Sequence, residues 1–81
     1  MKSKGLRIVL IEWLDSSTGQ GWVRSDSPAK PSYCRSVGWI IRQDKNCVVI
    51  APHTDRENAL VCGDMAIPTK AIVRTKVLGE F

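Results

Sequence analysis

The side chains able to do covalent chemistry in this 81-residue sequence are few and scattered. Ser16, Ser17 and the three cysteines Cys34, Cys47 and Cys62 could serve as nucleophiles, and one imidazole, His53, could serve as a base. Nucleophilic catalysis needs such a pair within hydrogen-bond reach and a third group to orient the base. The sequence carries no nucleophile elbow, glycine-rich phosphate loop or metal-binding helix motif that would assemble one. Asp15, Asp44 and Asp64 would pair as carboxylates only if their loops converged, and turn chemistry explains each of them. The cysteines with His53 make up a Cys3His set, yet twelve and fourteen residues separate successive cysteines, whereas structural zinc takes its ligands in close pairs. A non-enzymatic protein with no metal and no cofactor is therefore expected. Three thiols cannot all pair within one chain, so free thiols in a reducing compartment are expected. Cys47 and Cys62 border apolar runs and read as small buried hydrophobes.

Charge and aromatic rings offer a different chemistry. Twelve Lys and Arg against eight Asp and Glu leave a formal charge of +4, which attracts polyanions. The cations are spread along the chain without a block, as on an ordinary solvated surface. Trp13 and Trp39 fall inside apolar stretches and read as core or interface. Trp22, between Gly21 and a polar stretch, is placed to stack on a base or on a partner's side chain. Cations that meet phosphate and a ring that stacks are the parts of a nucleic-acid site, and the candidates are Trp22, Arg42, Lys45, Lys70 and Arg74.

The elements that must position these residues read as strands. Leu6 to Leu14 is rich in β-branched residues and lacks helical spacing. A turn-rich stretch from Ser16 to Gly21 follows, then a short strand at Trp22-Val23 and a long polar loop to Ser32. Tyr33 to Gln43 and Cys47 to Pro52 form a hairpin across Asp44-Lys45-Asn46. His53 to Asn58 reads as a loop, Ala59 to Cys62 and Met65 to Ile67 as extended, and Ala71 to Leu78 as the last strand after a break at Pro68-Thr69-Lys70. No segment reads as a helix. The length allows one domain, residues 1–81, and 43% hydrophobic with 25% charged residues is ordinary for a globular fold. Its longest aliphatic run, Ile8-Val9-Leu10-Ile11, falls far short of the roughly 20 residues that span a bilayer, so no membrane partner and a cytoplasmic location are expected.

Five short strands in so small a chain point to an all-β, partly open barrel with a long loop after the first strand. Both alternate sets are apolar in Leu6 to Leu14 and in Cys47 to Ala51, yet a small barrel has one inside. The second set, drawn from Ile8, Leu10, Val48 and Val49, needs another cover, and a homo-oligomer interface would supply it.

The sequence resembles the Sm-like family, bacterial Hfq-type members included. Gly38-Trp39-Ile40-Ile41-Arg42-Gln43-Asp44 followed by Val48-Val49-Ile50 is similar to its first motif. Gly63, Ile67 and Ile72 match its second, and Val9-x-Ile11-x-Trp13-x-Asp15 looks like its first strand. The long loop after that strand is more like an SH3-like barrel. The resemblance implies a ring built by edge-strand pairing, with Asp44, Asn46 and Lys70 at the positions of an RNA pocket. Trp13-x-Asp15, Gly38-Trp39 and Ile67-Pro68-Thr69 also resemble small accessory proteins of bacteriophages and prophages, which implies a host cytoplasm. The expected function is binding of RNA, single-stranded DNA or a nucleotide. The alternative is a protein-interaction module that occupies and modulates a host protein.

Overall fold

The structure, a computed structural model, describes residues 5–16 and 21–81. It is built from seven strands: β1 (Arg7–Asp15), β2 (Ser32–Gln43), β3 (Cys47–Ala51), β4 (His53–Asp55), β5 (Leu60–Cys62), β6 (Met65–Pro68) and β7 (Ile72–Glu80). A 3-10 turn, Thr69–Ala71, separates the last two. Five strands form one antiparallel sheet in the order β6-β3-β2-β1-β7, and β4 with β5 forms a separate two-stranded ribbon. No helix among the described residues is long and apolar enough to cross a membrane.

Register decides which apolar set faces the core. Val9 and Ile11 are fully buried and join Val48, Ile50 and Ile67 in one cluster, with Trp13, Ile40 and Ile72 packed against it. Ile8, Leu10, Glu12 and Leu14 lie on the opposite face, each directly across from Trp39, Val37, Arg35 and Tyr33 of β2. Trp13 donates its indole N–H to Ser36 Oγ at 3.0 Å, which satisfies a polar group on the core side of the same strand pair. Each fully buried Ile or Val contributes about 1.5–3 kcal/mol, so a core this small depends on every member.

β2 and β3 approach closely at Gly38. A Cβ there would lie 2.9 Å from the Ala51 carbonyl oxygen, so only glycine fits. At the far edge, β6 runs through the 3-10 turn straight into β7, carrying the chain from one edge of the sheet to the other. No ladder joins β6 to β7 among the described residues, so the sheet is not closed into a barrel.

Several expectations change. Trp22-Val23 is not a strand: residues 21–31 run irregularly and exposed, with no ladder partner to stabilise two isolated apolar residues. His53–Asp55 is a strand rather than part of a loop, and pairs with Leu60–Cys62. β4 is polar, and that composition conceals it from a reading that looks for apolar runs, whereas its partner Leu60–Cys62 is apolar and reads as extended. Cys62 is exposed on it, and Cys47 is only partly buried, so neither is the fully buried hydrophobe expected from its neighbours. The turn-rich stretch at 17–20 lies outside the described residues.

Candidate nucleic-acid interface

Four of the candidate residues, Arg42, Asp44, Lys45 and Asn46, sit on the β2–β3 hairpin. Asp44 builds the turn: one carboxylate oxygen accepts from the backbone N–H of Asn46 at 2.8 Å and of Cys47 at 2.9 Å. Asp44's own N–H donates to the Cys47 carbonyl at 3.0 Å. The bonds from Cys47 and Asn46, aided by the Arg42 charge, hold the Asp44 carboxyl below its ordinary range despite some loss of solvent. Arg42 Nε stands 4.0 Å from the other oxygen. Asp44 is thus occupied as a turn-builder, a local role rather than that of a ligand contact.

Lys70 comes from a different part of the chain and is brought to this corner by the backbone. The Thr69 N–H donates to the Asn46 carbonyl at 2.9 Å, and Cys47 pairs with Pro68 in the β3–β6 ladder. The hairpin turn is thereby clamped to the 3-10 turn. Lys45 and Lys70 stand on two adjoining turns and Arg42 near the end of β2, all exposed, beside the carboxylate of Asp44.

Arg74 and Trp22 do not join them. Trp22 is 104% exposed in the loop after β1, with no strand to fix its ring. Arg74 lies on the outer face of β7 opposite Glu12. There the structure assembles a group that the sequence reading missed. Glu12, only 5% exposed, receives Arg35 Nε on one oxygen at 3.2 Å and Arg74 Nε on the other at 2.7 Å. Burial pushes the Glu12 carboxyl up, but the charge of Arg74, the hydrogen bonds from Arg35 and Arg74 and the charge of Arg35 together outweigh it and lower the pKa. The available signal was an acidic residue at the centre of an apolar strand, which needs a cationic partner across the sheet.

The residues expected at an oligomer interface divide. Ile8 and Leu10 are half-buried on the outer face and Val49 is half-buried on β3. Val48, across from Ile67, is in the core instead, because the β3 register turns it inward. His53 lies exposed opposite Cys62, and no group of three or more His, Cys, Asp or Glu among the described residues could hold a metal ion. The β4–β5 ribbon roofs an open, largely apolar cavity of about 220 Å³ beside Leu6, Ile41, Leu60 and Val61. Comparison of the chain with protein-family models, with curated proteins and with solved structures finds no match.

Proposed function

We propose that this chain is a non-enzymatic β module, of Sm-like or SH3-like kind, that binds single-stranded nucleic acid through cations on its turns and sheet, as a phage accessory protein would. The supporting observation is the clamped corner. The Thr69 to Asn46 bond brings Lys70, remote in sequence, beside Lys45 and Arg42, and the hairpin's one carboxylate is spent on its own backbone. Convergent cations on rigid turns meet phosphate without paying the ordering entropy of a mobile arm. Titration of labelled RNA and single-stranded DNA against the protein tests this reading. Affinity should fall linearly with salt on logarithmic axes, and Lys45→Ala/Lys70→Ala should weaken binding to every sequence alike. Absence of binding at low salt would sink it.

A second observation favours self-association. β7 is an edge strand, and its Val73, Val77 and Leu78 are exposed. An unpaired nine-residue edge that exposes these three apolar side chains is a template for pairing with another chain. Native mass spectrometry distinguishes the outcomes: a homo-oligomer fits a second copy on that edge, whereas a monomer that captures a cellular protein fits the host-protein module.

A further inference from the structure

A second cationic surface lies on the outer face of the sheet. β1 and β2 pair without a register break from Ile8↔Trp39 to Asp15↔Ser32, so Tyr33 and Arg35 share a face with Glu12. β7 adds Arg74 opposite Glu12 and Lys76 opposite Leu10. The carboxylate thus sits between two arginines on its two flanking strands and engages the Nε of each. A guanidinium carries five N–H donors in one plane, so fixing it at Nε sets the plane and leaves its terminal groups for a second acceptor. The arginine side chains remain 72% and 67% exposed, while that of Glu12 is 7% exposed. One carboxylate against Arg35, Arg74 and Lys76 leaves the patch two positive charges in excess.

The neighbouring ring narrows the class of anion. Tyr33 lies two residues before Arg35 on the same strand and face, and is exposed. A duplex hides the faces of its bases in its own stack, whereas a single strand offers them to an aromatic side chain beside its phosphates. We propose that this face is a platform for single-stranded nucleic acid. Arg35, Arg74 and Lys76 meet the phosphates, Tyr33 stacks on a base, and Glu12 is a positioning residue that holds both guanidiniums. The proposal rests on the nucleic-acid reading above and adds the sheet face to the turns.

The test is fluorescence anisotropy with labelled oligothymidine and oligouridine of about 12 nucleotides, using the full chain across a range of salt. Arg35→Gln/Arg74→Gln should weaken binding about tenfold and flatten the logarithmic salt slope by about 1.4. Tyr33→Ala should weaken it without changing that slope. Glu12→Gln carries the most information. It removes a negative charge, so charge alone requires tighter binding, whereas loss of positioning requires weaker binding. Arg35→Lys/Arg74→Lys, which keeps the charge and discards the fork, should also bind more weakly, and serves if Glu12→Gln does not fold. Unchanged or tighter binding by Glu12→Gln and by the lysine pair overturns the proposal. Loss of affinity confined to Lys45→Ala/Lys70→Ala overturns it and leaves the proposed function standing. A wild-type protein that binds an acidic peptide but neither oligonucleotide overturns both.

Discussion

In the β2–β3 hairpin one oxygen of Asp44 accepts backbone bonds from the residues two and three positions on, and in the β4–β5 ribbon one oxygen of Asp55 does the same with Glu57 and Asn58. Asn58 Nδ2 also donates to the other Asp55 oxygen at 2.9 Å. The local chemistry of the two turns is therefore shared. Their surroundings are not: β3 buries Val48, Ile50 and Ala51, while Leu60, Val61 and Cys62 of β5 all stay exposed. A carboxylate two residues ahead of a backbone N–H closes a turn wherever it stands. What the turn then contributes to the fold depends on the sheet to which its strands belong.

The comparison breaks most directly at the core. Ile50→Ala and Ile67→Ala should each cost about 2–5 kcal/mol in denaturant unfolding, since both empty space in a core with few members. Against a typical total of about 5–15 kcal/mol, that is a large share.

Acid should act on what the two turns have in common. Glu12, Asp44 and Asp55 all titrate below their ordinary values, 4.5 for the glutamate and 3.8 for the aspartates. For Asp55 the causes are the side-chain and backbone bonds from Asn58, against a loss of solvent that outweighs the last contribution, the bond from Glu57. As pH falls through those ordinary values the unfolded chain takes up protons first, so stability drops below about pH 4.5. The contribution of these groups is fully present above that pH and is gone below their folded pKa values. Thermal melts between pH 7 and pH 2.5 check this. A profile flat down to pH 3 would mean that none of the three carboxylates keeps its partners in solution.

Smaller substitutions separate the two turns. Asp44→Ala should lower the melting temperature more than Asp55→Ala, because losing the first turn also disturbs the Thr69 to Asn46 clamp. Equal losses would show that the clamp adds nothing. Ala59, in the β4–β5 turn, has φ of 54°, which a Cβ disfavours. Ala59→Gly should therefore stabilise the protein by about 1 kcal/mol in the same unfolding assay. Leu60→Ala should change stability by no more than about 0.5 kcal/mol, since the side chain is exposed. A larger loss would mean that the ribbon is covered in solution, by a second copy or another partner.

Much of the strand pattern is legible in the sequence because β-branched runs bounded by Gly, Pro, Asn and Asp leave little else for the backbone to do. β1, β2, β3 and β7 fall within two residues of where the patterning puts them. β4 is not legible, since a solvated strand has no apolar period and His53–Asp55 reads as a polar loop. The candidate site divides in the same way. Asp44-Lys45-Asn46 is local and visible as a turn, whereas the meeting of Lys70 with it needs the β3–β6 pairing. Glu12, Arg35 and Arg74 are separated by 23 and 39 residues and converge only through register.

By itself, then, the sequence determined the all-β class, the turn carboxylate Asp44 and the two apolar sets of β1, because these depend on interactions among near neighbours. Only the tertiary structure decided that Val48, rather than Val49, faces the core, and that Glu12 lies between two arginines. Both apolar sets satisfy the strand equally, and a shift of one residue in pairing would exchange them. The choice is made by the long-range register, which sets Val48 across from Ile67.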